Sequence, residues 1–280
     1  MQIVCFSLNS KASIGLRIGQ RLIALDGILP GSADLRAALH HDNRAALAAA
    51  LRSSAPGIGF DEVTLAPPVA AGARIFCIGL NYKTHIAETG REMPEYPSVF
   101  LRMAESLVAN GAALRRPVAS DNFDFEGELA VVIGAPARAI DEARALDIVA
   151  GYTCFNDGSI RDFQQHSVTA GKNFESSGAI GPWIVTADEI PDPTRLILVT
   201  RLNGVEVQRS GTDMLIYSIP RIISYLSRIV TLQPGDIIAT GTPAGVGARR
   251  TPPLWMKPGD VVEVEISGIG TLRNPIAQAE

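Results

Sequence analysis

Cysteine is scarce in this chain, at three of 280 residues, and aromatic side chains make up only 6%. Cys5, Cys77 and Cys154 are an odd set with no CxxC spacing, so no disulfide framework is expected. Each lies in an apolar segment and reads as a buried free thiol in a reducing cytoplasm. No apolar run is long enough to span a bilayer. The opening MQIVCFSLNS has neither the basic region nor the apolar stretch of a signal peptide. A membrane partner is therefore not expected, and the expected location is cytoplasmic. The formal charge is −4 with no long run of one sign, which argues against a broad basic face for nucleic acid. No GxSxG, HExxH or GxGxxG is present, so a serine hydrolase, a zincin and a dinucleotide enzyme lack support. No fixed period recurs, which argues against a solenoid.

What is present is core-forming material. Hydrophobic residues make up 46%, enough to bury a large domain with a small companion. QIVCFSL, IGLRIG and QRLIALDG read as short strands, followed by an Ala/Leu-rich helical stretch over 34–54 with a break near Asp42-Asn43. TLAPPVAAGA, residues 64–73, reads as a linker. From Arg74 onward strands dominate: IFCIGL, ELAVVIG, DIVAGYTCF, GPWIVT, RLILVTRLNG, DIIATG and DVVEVEIS. DEARALDIV and TDMLIYSIPRIISYLSRIV read as helices, the second interrupted by Pro220. The pattern predicts an α+β, β-dominated fold, a sandwich or rolled barrel-like sheet. The small N-terminal α/β domain is expected over 1–66 and the catalytic domain over 67–280.

The stretch NFDFEGELAVVIG, residues 122–134, places Asp124, Glu126 and Glu128 at alternate positions of one strand and so on one face. Three neighbouring carboxylates repel one another. If partly buried, they raise each other's pKa or require a cation, and oxygen donors suit Mg²⁺, Mn²⁺ or Ca²⁺. The alternative is a solvated edge whose charges discourage aggregation. Asp157 follows a second apolar run on an Asp-Gly turn and is placed to complete a three-carboxylate site; an ordinary turn is the competing reading.

GLNYKTHIAE puts His85 and Glu88 three apart, on one face if helical, where a carboxylate can orient an imidazole as a general base; a surface pair reads equally well. Lys172 sits in a Gly-bounded loop before a strand, suited to an anionic substrate or a developing oxyanion, or simply on the surface. It lacks the GxxxxG and Ser/Thr of a Walker-type loop. GTPAGVG, residues 241–247, is either a tight turn or a set of N–H groups offered to a ligand carboxylate.

Taken in order, IFCIGLNYKTHIAE, DFEGELAVVIG, AGYTCFNDGSIRDFQ, AGKNFESSGAIGPW, LQPGDIIATGTPAGVG and KPGDVVEVEISGIGTLRNPI resemble the fumarylacetoacetate hydrolase superfamily over about 74–276. The branch resembled is that of acylpyruvate hydrolases and 2-hydroxyhepta-2,4-diene-1,7-dioate isomerases. The resemblance implies a mixed β roll, a homodimer, and Mg²⁺ or Mn²⁺ held by Glu126, Glu128 and Asp157. It implies a His85–Glu88 dyad and a site lysine at Lys172. Substrate contacts are expected at Tyr82, Arg161, Gln164 and Thr242. The implied reaction is hydrolysis of a C–C bond in a 2,4-diketo acid in aromatic catabolism. The alternatives are isomerisation or decarboxylation of 2-hydroxy-dienedioates, or metal-dependent ligand binding without turnover. Phe174, Glu175 and Ser-Ser-Gly-Ala-Ile depart from the family's Asp after Gly-Lys and its Pro before Gly-Pro-Trp, a difference that falls on the substrate pocket.

Overall fold

A computed structural model describes residues 1–29, 34–52, 57–90 and 92–280. Its frame is a twelve-stranded mixed sheet. From one edge the path runs through Ile58–Gly59, Arg21–Ala24, Lys11–Ile18, Gln2–Leu8 and Gly178–Thr186. It continues through Val149–Asn156, Gly127–Ile133, Ile237–Ala239 and Ile75–Gly79, and ends at Ser98–Arg102. A five-stranded sheet, Val205–Gly211, Ile197–Leu202, Val261–Ile266, Gly270–Gln278 and Leu114–Arg116, packs against it. Most neighbours are antiparallel, but Ile237–Ala239 runs parallel to Ile75–Gly79, and Gly270–Gln278 parallel to Leu114–Arg116. The β-dominated mixed fold expected from the sequence is thus observed.

The strand Gly127–Ile133 is buried along its whole length because both of its faces meet a core. Leu129, Val131 and Ile133 point between the two sheets, among Leu198, Val264 and Leu272. Ala130 and Val132 point the other way, among Ile3, Leu16, Phe155 and Ile180. Such a strand reads as a continuous apolar run rather than an alternating one. The second core joins the N-terminal strands to the rest. Gln2–Leu8 pairs with Gly178–Thr186, Ile3 opposite Ile184, so strands on both sides of residue 66 share one sheet.

Several local expectations are corrected. Pro220 does not interrupt a helix; it lies in the first turn of Ile219–Ile229, capped by Ser218, where its missing N–H leaves no bond unmade. Ile219, Ile222, Ile223 and Leu226 then form the buried stripe. Glu142–Ile148 is 3-10 rather than α-helical. The expected linker begins as a strand, Thr64–Leu65, paired with Gln2–Leu8, and Ala70 is buried in the second core. The Ala/Leu-rich stretch forms Leu35–Leu39 and Arg44–Leu51, broken at His41–Asn43 where expected; its end at Ser53-Ser54 lies outside the described residues. All three cysteines are buried free thiols, and burial pushes those of Cys5 and Cys154 up to about 12. No helix among the described residues is long and apolar enough to cross a membrane.

Candidate active site

The acidic stretch is not one continuous strand. Phe123–Asp124 pairs with Ser159–Ile160, and Gly127–Ile133 with Val149–Asn156. Between them both chains leave the ladder together, at Phe125-Glu126 and Asp157-Gly158. One backbone bond crosses the gap, Asp157 N–H to Glu126 O at 2.8 Å. The Glu126 N–H is taken by Asn156 Oδ1 at 3.0 Å. Gly158 permits the bend: a Cβ there would lie 1.9 Å from Ser177 O, so the chain passes where only glycine fits.

The break separates the three acids of the alternate pattern. Asp124 turns away, accepting from Gly247 N–H at 2.7 Å, Ala248 N–H at 3.0 Å and Arg161 Nε at 2.8 Å. Glu126, Glu128 and Asp157 converge instead, all buried, with one carboxylate oxygen from each within 4.8 Å of the others. Two are matched by cations. Glu126 accepts from Arg161 and from Lys172, each at 2.5 Å. Asp157 accepts from Lys172 at 2.6 Å and from Arg102 at 2.6 Å. Burial would raise the Glu126 carboxyl, but Arg161 and Lys172 outweigh it and hold the group at about 2. Burial would likewise lower the Lys172 ammonium; Asp157 and Glu126 reverse that, and its pKa is raised.

Glu128 has no such partner. Its recorded bond is from Gly241 N–H at 2.8 Å, and among the described residues no Lys or Arg pairs with it. Burial, then Asp157 and Glu126, push its carboxyl well above the usual range. At an effective dielectric near ~20, like charges ~4 Å apart repel by about 4 kcal/mol, more than one backbone N–H returns. An ionised Glu128 therefore fits only with another cation at the same place. The donor set is all oxygen, which suits a hard divalent ion such as Mg²⁺ or Mn²⁺.

His85 and Glu88 lie on the helix Lys83–Thr89, with Nδ1 3.2 Å from Glu88 Oε2. An ionised carboxylate can only accept, so in the neutral imidazole the proton sits on Nδ1 and Nε2 keeps its lone pair. Glu88 Oε1 accepts from Gly245 N–H at 2.9 Å, which fixes the carboxylate and hence the imidazole. The 241–247 loop is thus not an open anion cradle. Its Gly241, Gly245 and Gly247 N–H groups go to Glu128, Glu88 and Asp124.

His85, Glu126, Glu128, Asp157 and Lys172 line one cavity of about 400 Å³, together with Arg161, Gln164, Thr242 and Arg249; Glu88 is not part of the lining. Lys172 ends the short helix Val168–Lys172 and is buried, not on a loop or the surface. Arg161 also donates to Gln164, which orients that amide. The Thr242 hydroxyl donates to Gly127 O and accepts from Gln208. Tyr82 is the exception among the expected substrate contacts: it is wholly buried outside the cavity lining, its hydroxyl without a partner among the described residues. Arg102 escaped the sequence reading. It lies in SVFLR, an edge strand with exposed Val99 and Leu101, yet is buried and donates to Asp157, Gly158 O, Ser106 and Ser177. The Phe-Leu-Arg run carries no signal that separates it from a surface arginine.

Comparison with known proteins agrees with this architecture. Residues 74–277 match the family model for the fumarylacetoacetate (FAA) hydrolase C-terminal region. A mitochondrial oxaloacetate tautomerase of Xenopus laevis is 39% identical over 231 residues, 81% of this chain and 72% of that protein. A maleylpyruvate hydrolase of Sphingobium sp. SYK-6, solved with manganese(II) and pyruvate, superposes with a TM-score of 0.85 at 27% identity over the whole of both chains. A 2-hydroxyhepta-2,4-diene-1,7-dioate isomerase of Mycobacterium marinum gives 0.78 at 29% identity, covering 99% of this chain and 98% of that one. With a match across most of its length and relatives that are hydrolases, isomerases and tautomerases, the chain belongs to the fumarylacetoacetate hydrolase family.

Proposed function

We propose that the protein hydrolyses a C–C bond in a 2,4-diketo acid, releasing pyruvate from an acylpyruvate such as fumarylpyruvate or maleylpyruvate. The observation that carries this reading is that His85, bonded to Glu88, lines the same cavity as the three carboxylates. Held by Glu126, Glu128 and Asp157, a divalent cation, Mg²⁺ or Mn²⁺, would supply Lewis-acid charge to the oxygens of the pyruvyl end. Glu88 orients the imidazole, and His85 Nε2 takes a proton from water. The water oxygen bonds to the distal carbonyl carbon, and the C–C bond to the pyruvyl methylene breaks. Its electron pair delocalises into pyruvate enolate, which takes back the proton, giving a carboxylic acid and pyruvate. Lys172 has its donors on Glu126, Asp157 Oδ2 and Asp157 O, so its part is to balance the carboxylates and position them. Arg161 and Gln164 line the same cavity and are assigned to substrate contacts.

A second reading has its own support. The tautomerase relative, at 39% identity, is nearer in sequence than the hydrolase structure, at 27%. Without attacking water, the same base would move a proton between carbon and oxygen of a 2-oxo or 2-hydroxy-dienoic diacid. A panel of acylpyruvates and hydroxy-dienoates, assayed with Mg²⁺ and resolved by product mass, separates the two. Pyruvate and a carboxylic acid whose masses together equal substrate plus one water establish hydrolysis, and an isobaric product establishes isomerisation. Loss of CO₂ or no turnover sinks both. A homodimer belongs to the same reading: exposed Val99 and Leu101 on the edge strand Ser98–Arg102, with Met103 just after it, support a second copy as their cover, and sedimentation tests it.

A further inference from the structure

The cavity carries a charge that the proposed chemistry does not use. Of the basic side chains on its wall, Arg161 is paired with Asp124 and Glu126, and Lys172 with Glu126 and Asp157. Arg249 lines the same cavity but is exposed at its rim, and no carboxylate among the described residues pairs with it.

Its backbone, by contrast, is held on both sides. Asp124 accepts from the two preceding N–H groups, Gly247 and Ala248. The next residue, Arg250, donates through Nη2 to Val207 O at 2.6 Å and through Nε to Gly245 O at 3.1 Å. Leu254 N–H closes the turn onto Gly247 O at 3.0 Å. Two adjacent arginines therefore do different things. Arg250 staples the loop, and Arg249 presents a guanidinium to the cavity from a fixed base. A side chain anchored in this way loses less freedom on binding than one from a loose loop.

We propose that Arg249 is the specificity-determining residue of the cavity, receiving the second carboxylate of a 2-oxo dicarboxylic acid whose 2-oxo acid end lies at Glu126, Glu128 and Asp157. The inference rests on the 2-oxo acid reading of the site and assigns the residue that would read the far carboxylate of the diacids named above. Arginine suits the task because its planar donors meet a carboxylate in pairs. Val168 and Val246 also line the cavity and offer apolar contact to the carbons of the ligand. A mono-acid of equal length would leave Arg249 hydrated and gain nothing from it.

The test uses the full chain loaded with Mn²⁺ and two inert probes of equal length, 2-oxoadipate and 2-oxohexanoate, titrated by calorimetry. Neither is a 2,4-diketo acid, so neither is cleaved. The wild type should bind the diacid about tenfold more tightly, roughly 1.4 kcal/mol. Arg249→Met should bring the ratio close to one by weakening the diacid alone, and Arg249→Lys should restore part of it. A wild-type ratio near one, or an Arg249→Met ratio that is unchanged, overturns the assignment while leaving the 2-oxo acid reading intact. If Mn²⁺ binds but neither probe does, the 2-oxo acid reading itself fails and the role of Arg249 falls with it.

Discussion

Arg102 and Asp157 form an ion pair that water does not reach: Nη1 donates to Oδ1 over 2.6 Å, with side chains 0% and 1% exposed. The arginine occupies one oxygen of Asp157 and leaves Oδ2 turned toward Lys172 and the other acids.

That arrangement predicts a separable effect on ion binding. Arg102→Lys keeps the charge but loses the fork that also reaches Ser177 and Gly158 O, and should weaken Mn²⁺ binding about 10- to 100-fold. Arg102→Met, which leaves a buried carboxylate short of a partner, should cost about 3–5 kcal/mol of stability as well. Titration calorimetry and thermal unfolding read the two quantities. An unchanged Mn²⁺ affinity in Arg102→Lys would show that the orientation of Asp157 is immaterial.

On the proposed mechanism, with the imidazole as base and not as ligand, His85→Ala should lower kcat by about 10²–10⁴ while Mn²⁺ affinity stays within about twofold. Steady-state kinetics beside a metal titration will decide this. Full activity would remove His85 from the reaction.

Glu88→Gln is the sharper probe of the pair. The amide oxygen can still accept from Gly245 N–H, but its NH₂ would donate to His85 Nδ1, forcing the ring proton onto Nε2. The base then has no lone pair facing the cavity, and kcat should fall nearly as far as in His85→Ala. A similar carboxylate-to-amide exchange in the serine-protease triad, a known precedent, costs about 10⁴ in rate. Retained activity would mean that the tautomer is not set by Glu88.

Glu128→Gln should act in opposite directions with and without metal. In EDTA, the neutral amide removes the cost of holding this crowded, buried acid protonated, and should raise the melting temperature, each kcal/mol corresponding to about 2–4 °C for a chain of this size class. With saturating Mg²⁺ the wild type should be the more stable, since the variant has lost a ligand. Parallel curves for the two proteins in both buffers would dissociate Glu128 from the ion.

Much of this centre was legible in the residue order. An alternate-position pattern and a strand-ending Asp-Gly made the grouping of Glu126, Glu128 and Asp157 one open reading, and the family resemblance singled it out. The same rule misplaced Asp124, because it assumes an unbroken strand, and the break depends on how closely Gly158 can pass Ser177. Arg102 was illegible for a related reason. Its meaning lies in partners 55 and 75 positions away, and nothing in the adjacent residues marks it as interior. The 241–247 loop reads from sequence either as a tight turn or as an anion receptor, because its internal acceptors, Glu88 and Glu128, are not assignable without the tertiary contacts.

The family match begins at residue 74, but the large sheet does not. A fragment trimmed to the matched segment would strip Gln2–Leu8 from the flank of Gly178–Thr186, baring Ile180 and Ile184 along a raw strand edge. That strand starts one residue after Ser177, which helps hold Arg102 and through it Asp157. The opening segment is thus a structural shield for the part that carries the candidate site, and light scattering of the shortened protein should show self-association rather than a smaller, well-behaved monomer.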